Sequence, residues 1–238
     1  MNVVILLAGG KGERAKCEIP KQFIEVLGKP LILYALEIYE KSDFIDAIEV
    51  VVLEEYIDYV WDLARRNNIT KLMWITKGGV SCQDSTKNGI YYLEDKINDD
   101  DLIMLNMSTS VFVDDGIIED SIKTAERYGN AFCCMQCIYN NAESYDGISS
   151  TKIYRKETCK TLNLPWSAKF GTFKSLYHKA YELGIEVGES SYAPTLFLAM
   201  GEKLFFSKDT SLNKLHITTA DDLEIVTAIL EHRKRRLE

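Results

Sequence analysis

The stretch Val3-Val4-Ile5-Leu6-Leu7-Ala8-Gly9-Gly10-Lys11-Gly12-Glu13-Arg14 decides how the chain is read. Its first half is an unbroken apolar run. It is far shorter than the roughly 20 residues of a membrane span, and it lacks the basic leader and cleavage site of a signal peptide. It reads as a first strand buried on both faces. Glycines directly after such a strand let the main chain approach a nucleotide, with N–H groups turned toward phosphate oxygens. The spacing is neither the dinucleotide-binding fingerprint nor the P-loop. What sharpens it is cation placement, with Arg14 inside the loop and Lys21 just beyond it in Pro20-Lys21-Gln22-Phe23.

Strand-like runs recur at Ala47–Leu53, Lys71–Thr76, Leu102–Asn106 and Ala131–Met135. Between them lie amphipathic, helix-length stretches near Pro30–Lys41, Glu54–Asn68, Gln83–Lys96 and Gly116–Tyr128. Continuous apolar strands alternating with helices predict a doubly wound, mostly parallel α/β sheet covered on both faces. Ligands of such sheets sit beyond the carboxyl ends of the strands. From Ile138 to Lys160 the alternation stops. This polar stretch carries the turn signal Asp146-Gly147 and reads as a protruding β-arm. Helical patterns resume at Phe173–Leu183 and Thr219–Arg236. For the last, Thr218 or Thr219 serves as a cap, with Asp221 and Asp222 in the first turn.

The 238 residues, 46% hydrophobic, suffice for one large domain spanning 1–238, with 138–160 as an arm within it. A net charge of −8 argues against nucleic acid, which needs a basic face. A small phosphorylated ligand is still compatible, since a few local cations can hold it. Among the cysteines, Cys134-Met-Gln-Cys137 has the C-x-x-C form. No second pair or nearby histidine completes a zinc site. It continues the run Ala131–Met135 and reads as core cysteine rather than metal or redox chemistry. Free thiols imply a reducing, cytoplasmic setting.

Attack of a phosphate oxygen on a nucleotide α-phosphorus builds negative charge on the reacting centre and the leaving pyrophosphate. That transition state calls for fixed cations rather than a covalent nucleophile. Arg14 offers a fork to phosphate oxygens, and Lys21 a point charge.

In this order, Leu-Ala-Gly-Gly-x-Gly-x-Arg, Pro-Lys-Gln-Phe and Gly28-Lys29-Pro30 resemble the 2-C-methyl-D-erythritol 4-phosphate and ribitol-5-phosphate cytidylyltransferases. Gly78-Gly79-Val-Ser-Cys82-Gln83-Asp84-Ser85-Thr-Lys-Asn88-Gly89 is similar to that family's Gly-Gly-x-x-Arg-Gln-Asp-Ser-x-x-Asn-Gly. His216-Ile217-Thr218-Thr219-Ala220-Asp221-Asp222-Leu223 is similar to its Lys-Ile-Thr-Thr-Pro-Glu-Asp-Leu. The resemblance implies CTP and a polyol phosphate as substrates, Mg²⁺ as cofactor and a homodimer. It places Leu7, Ala8, Gly9, Gly10, Gly79 and Ser85 against the nucleotide and gives Arg14 and Lys21 the catalytic roles. Arg155, on the arm, would reach the partner's acceptor site, and His216 would stand at the acceptor too. Asp84 and Asn88 also match, although Asp84 is equally explained as a helix cap. The acceptor phosphate is itself the nucleophile, so no histidine base is required, and His178 and His232 read as structural or exposed.

Departures from the pattern fall on the acceptor side. The family's His-Asp-Ala-Ala-Arg-Pro aligns with Asn106-Met107-Ser108-Thr109-Ser110-Val111, so its aspartate becomes Met107 and its arginine Ser110. Cys82 replaces another arginine, and His216 a lysine. The Gln-Thr-Pro-Gln-x-Phe motif survives only faintly at 168–173, and Thr-Asp-Asp-Ala is replaced near Ser190–Pro194. A missing carboxylate cannot help place Mg²⁺ or a sugar hydroxyl. Two further readings therefore stand beside cytidylyl transfer: a homologue that binds nucleotide or an active partner without turnover, and a transferase using another base. The first turns on whether Asp84, Asp114, Asp115 or Asp209 reaches the phosphates, and the second on main-chain contacts to the base.

Overall fold

The computed structural model describes residues 1–10, 19–185, 192–215, 217 and 219–236. Strand β1 (Asn2–Ala8) lies in the sheet interior, parallel to β4 (Ala47–Val52) on one side and β6 (Leu102–Met107) on the other. Its side chains alternate between two cores. Val4, Leu6 and Ala8 face helices α1 (Leu31–Lys41), α2 (Ile57–Arg66) and α4 (Asp115–Tyr128). Val3, Ile5 and Leu7 face α3 (Cys82–Tyr92), α5 (Phe170–Glu182) and α6 (Ala193–Ala199). This is why the run reads as uniformly apolar. Each fully buried aliphatic side chain contributes about 1.5–3 kcal/mol.

The described order across the sheet is β11-β7-β10-β6-β1-β4-β5, with β5 at Leu72–Lys77, β7 at Asn130–Gln136, β10 at Lys160–Lys169 and β11 at Phe206–Lys208. The expected parallel α/β sheet is thus present, with two strands the alternation did not predict, β10 and the short edge strand β11. β10 runs antiparallel between β6 and β7, its register shifting between Leu162 and Trp166. Its first half is polar and exposed, and its second half, from Asn163 to Ala168, is buried. A small antiparallel pair, β2 (Glu25–Val26) with β3 (Lys29–Pro30), also went unread.

Two helix starts bear directly on the site. At α3, Ser81 accepts from Asp84 N while the Asp84 carboxylate accepts from Ser81 N, a capping box. At α7 (Ala220–Arg235), Thr219 and Asp222 do the same, so the cap is Thr219. α3 lies close on the sheet because of Gly89. A Cβ there would stand 2.9 Å from Val51 Cγ2 and 3.2 Å from Ile5 Cγ2. A third cluster packs α7 against the site: Val26, Leu31, Val111, Phe112, Ile217, Val226 and Leu230.

The 138–160 segment holds a two-stranded antiparallel sheet, β8 (Asn141–Glu143) with β9 (Lys152–Tyr154). Asp146 makes its turn by accepting from Ile148 N and Ser149 N, both at 2.9 Å, and those bonds hold its carboxyl well below the ordinary range. Gly147 follows at φ +70°. Tyr139, Tyr145, Ile148 and Ile153 are exposed on the arm.

The cysteines divide. Cys133 is buried in the core as expected, while Cys134 is half-exposed. Cys137, one residue past β7, lies not with Cys134 but opposite Cys159. Residues three apart on an extended chain point to opposite faces.

Candidate active site

The carboxyl ends of β1, β5 and β6 converge around Gly9, Gly78, Gly79 and Ser85. The Ser85 hydroxyl accepts from Gly79 N at 3.0 Å. A Cβ on Gly9 would stand 3.0 Å from Ser85 Oγ, and one on Gly78 would stand 3.3 Å from Gly9 Cα. At Gly79 the conflict is outright, with the Asp84 Cβ only 2.2 Å away. The glycines are therefore required by close approach of two loops, one after β1 and one after β5, with the first turn of α3 beneath them. Leu7 and Ala8 are buried members of β1, and Gly10 lies exposed at its end. Of the six residues assigned to the nucleotide by resemblance, all fall at this rim. Arg14 and His216 lie outside the described residues, as do Ser190 and Ser191.

Gln22 was not singled out from the sequence, yet it ties the loop down. It is buried, and its Nε2 donates to Ala8 O at 2.6 Å and Gly10 O at 3.1 Å. A buried amide must find partners, and a glutamine between Lys21 and Phe23 in a tight apolar turn was the available signal. Phe23 anchors the same short 3-10 turn, Lys21–Phe23, by stacking on Tyr56 at 4.3 Å between centroids.

Lys21 opens that turn. Its Nζ donates to Ile217 O at 3.0 Å, and it is close enough to Cys82 to favour that thiol's ionisation. Burial nevertheless dominates and pushes the Cys82 pKa up, against the opposing effects of Thr86 and Lys21. Cys82 thus stands as a neutral, half-buried group where the family pattern has an arginine.

The four carboxylates that could have compensated for Met107 have other employment or a distinct place. Asp84 closes the capping box and accepts from Tyr181 OH at 2.8 Å; that bond first of all lowers its pKa. Asp114 caps α4 by accepting from Ile117 N at 3.0 Å. Asp115 is exposed in the first turn of α4. Asp209 follows β11 at the carboxyl edge of the sheet, held by Asn213 Nδ2 at 2.7 Å, Thr210 N at 2.7 Å and Asn163 Nδ2 at 3.1 Å. Among the described residues no group of three or more histidines, cysteines or carboxylates could hold a metal.

The segment after β6 forms a buried turn rich in hydroxyls. Ser108, Thr109 and Ser110 are at most 3% exposed. Ser108 N donates to Leu7 O at 3.1 Å, which docks the turn against the end of β1. The Ser110 hydroxyl has no hydrogen-bond partner among the described residues. Asn106, in the place of a histidine, donates to Tyr39 OH and accepts from Met107 N at 2.8 Å. Arg155 is exposed on the arm, just after β9.

Residues 2–232 match the family described as IspD, 2-C-methyl-D-erythritol 4-phosphate cytidylyltransferase. The chain is 31% identical over 236 residues to a ribitol-5-phosphate cytidylyltransferase of Lacticaseibacillus paracasei, covering 98% of this chain and 100% of that one. It is 30% identical over 237 residues to a 2-C-methyl-D-erythritol 4-phosphate cytidylyltransferase of Clostridium novyi, covering 98% of each. In fold it is similar to the 4-diphosphocytidyl-2C-methyl-D-erythritol synthase of Anaerococcus prevotii, with a TM-score of 0.81 over 97% of this chain and 98% of that one, at 17% identity. The Francisella tularensis 2-C-methyl-D-erythritol 4-phosphate cytidylyltransferase aligns at 0.77 over 94% and 97%, at 19% identity.

Proposed function

The chain belongs to the 2-C-methyl-D-erythritol 4-phosphate cytidylyltransferase family, and from that premise we propose that it transfers the cytidylyl group of CTP to an open-chain pentitol phosphate, with Mg²⁺ as its metal. It is a nucleotidyltransferase of the cytidylyl-transferring class. A homologue without turnover is not what the relatives favour, since those named above carry enzyme names.

The observation that carries the reading is the glycine rim. Gly9, Gly78 and Gly79 leave no room for side chains, and Ser85 fixes the Gly79 amide, which presents main-chain edges to a base while N–H groups face phosphates. The acceptor's phosphate oxygen attacks the α-phosphorus of CTP, and the bond to the pyrophosphate oxygen breaks. Lys21 and Arg14 neutralise charge developing on the leaving oxygens. The Ile217 carbonyl fixes where the Lys21 ammonium stands. Mg²⁺ would screen the triphosphate and polarise its oxygens. Mg²⁺ is usually bound through one or two carboxylates together with substrate phosphates. Asp209 is the candidate side chain at that edge.

On the acceptor side, hydroxyls replace charges. Ser110 Oγ has no partner among the described residues and can both donate and accept. Such a wall suits an unbranched chain of hydroxyls, in keeping with the ribitol-5-phosphate relative. The exposed apolar residues of the arm support a homodimer in which two arms pack together and Arg155 reaches the other subunit's acceptor, because an isolated two-stranded sheet is marginal in water. The test is pyrophosphate release across CTP, UTP, ATP and GTP with ribitol 5-phosphate or 2-C-methyl-D-erythritol 4-phosphate. Turnover with CTP and ribitol 5-phosphate supports the reading. Equal use of all four nucleotides would refute the base assignment, and preference for the branched acceptor would refute the pentitol.

A further inference from the structure

Cys137 and Cys159 face each other across the root of the arm. The antiparallel register pairs Lys160 with Gln136, so one step outward Cys159 stands opposite Cys137. Cys137 N donates to Cys159 O at 3.2 Å, which confirms the pairing. Directly opposed residues of antiparallel strands have Cα atoms about 4.5–5.5 Å apart, within the roughly 4.4–6.8 Å that a disulfide takes. The side chains are drawn together as well. Asn141 Nδ2 donates to both sulfurs, at 3.5 Å to Cys137 Sγ and 3.7 Å to Cys159 Sγ. Both thiols are free, Cys137 buried and Cys159 half-exposed.

We propose that Cys137 and Cys159 form a reversible redox pair, oxidised by a peroxide to an intramolecular disulfide that locks the root of the arm. The chemistry is asymmetric. The Thr161 hydroxyl, 3.4 Å from Cys137 Sγ, leads a set of hydrogen bonds that lowers the Cys137 pKa, while Cys159 is raised, first by the hydrogen bond it shares with Cys137. With the Thr161 hydroxyl at 3.4 Å and the Asn141 amide donating at 3.5 Å, Cys137 Sγ has the polar neighbours that suit a thiolate, and it takes the attacking role. Its sulfur attacks one peroxide oxygen and the O–O bond breaks. Cys137 becomes a sulfenic acid, and the released hydroxide takes a proton to leave as water. The Cys159 thiol then attacks the Cys137 sulfur, the S–O bond breaks, and a second water carries away both the oxygen and the thiol proton. Overall, two thiols and one hydrogen peroxide give one disulfide and two waters. A dithiol reductant reverses it by exchange.

The bond would close a loop over residues 137–159, which contains both arm strands and Arg155. Fixing that root restricts the angles the arm can take. The consequence for turnover rests on the acceptor role given to Arg155 above; the bond itself does not.

The experiment oxidises the full-length protein with hydrogen peroxide, blocks remaining thiols and maps tryptic peptides. Cleavage at Lys152 and Lys156 separates the two cysteines. The expected result is a Cys137–Cys159 cross-linked peptide that dithiothreitol dissolves, with Cys82 and Cys133 still reduced. In Cys159→Ser the reaction should stop at a Cys137 sulfenic acid that dimedone traps. A Cys134–Cys137 bridge, an interchain bridge, or over-oxidation of Cys137 without a cross-link in the wild type would overturn the proposal. For the regulatory part, the KM for the acceptor should shift at least about threefold on oxidation and return on reduction, in the wild type and not in Cys159→Ser. An unchanged KM in fully cross-linked protein would overturn regulation and leave the bond standing.

Discussion

The ammonium of Lys21 donates to the main-chain carbonyl of Ile217 at 3.0 Å, joining the turn after the glycine loop to the segment that leads into α7. Ile217 is itself fixed by the cluster of Val26, Val111, Phe112 and Val226. One packing unit thus sets the turn after β6, the cation proposed for catalysis and the C-terminal helix at once. Lys21→Ala should lower kcat by roughly 100-fold or more, as expected for a charge used in the transition state, with little loss of folding. Steady-state kinetics beside a thermal melt checks it. An unchanged kcat would reduce Lys21 to a structural tie.

Ser85→Ala removes the acceptor for Gly79 N. One such bond is worth about 1 kcal/mol, so CTP affinity should fall by about fivefold in calorimetric titration, with kcat at saturation little changed. Gly79→Ala should be far worse. Its Cβ would overlap Asp84 Cβ at 2.2 Å, forcing the start of α3 away. If Gly79→Ala binds CTP normally, the rim geometry described here is wrong.

Glu49 sits in β4 at 0% exposure, accepting from Thr76 Oγ1 through one oxygen while the other has no partner among the described residues. Burial pushes its pKa from 4.5 up to about 8, against the smaller opposing effects of Thr76 and Lys96. An acid whose pKa rises on folding holds its proton more tightly in the native state. The linked stability is fully present below about pH 4.5, declines as the pH climbs toward about 8, and is lost above that. Glu49→Gln should remove this slope and raise the melting temperature at pH 8–9 relative to the wild type. Parallel pH–melting curves for the two proteins would contradict the assignment.

Much of this was legible beforehand and some of it was not, for physical reasons. β1 could be read because both its faces are buried, which leaves an uninterrupted apolar run. β10 could not. Its exposed Lys160-Thr161-Leu162 and its Pro165 hide a strand that is buried only from Asn163 to Ala168. Around the site, Gly9 and Gly10 could be read from their place after a buried strand, whereas Gly79 and Ser85 came only through the resemblance of their motif. The tie from Lys21 to Ile217 and those from Gln22 to Ala8 and Gly10 end on main-chain carbonyls. Every residue offers one, so nothing in the sequence marks the acceptor. The pairing of Cys137 with Cys159, rather than with Cys134, likewise depends on a register that only the folded sheet defines.

The arm gives a test of shared sites. Deleting residues 140–156 should yield monomers in solution scattering with the core still folded. Arg155→Ala should raise the KM for the acceptor and leave CTP affinity unchanged. Mixing Arg155→Ala with Lys21→Ala chains should restore part of the activity, since co-assembled pairs carry one site with both lesions and one with neither. No recovery despite proven subunit exchange would place Arg155 outside the partner's site.

Phosphorus NMR of the protein with CTP, Mg²⁺ and ribitol 5-phosphate follows cytidylyl transfer to a pentitol phosphate as it happens. The acceptor's monoester resonance should disappear in step with CTP, while the two coupled phosphorus signals of a CDP-alditol and the single line of pyrophosphate grow equally. Consumption of CTP to CMP with the monoester intact, or no change at all beside a protein that binds CTP, would contradict it.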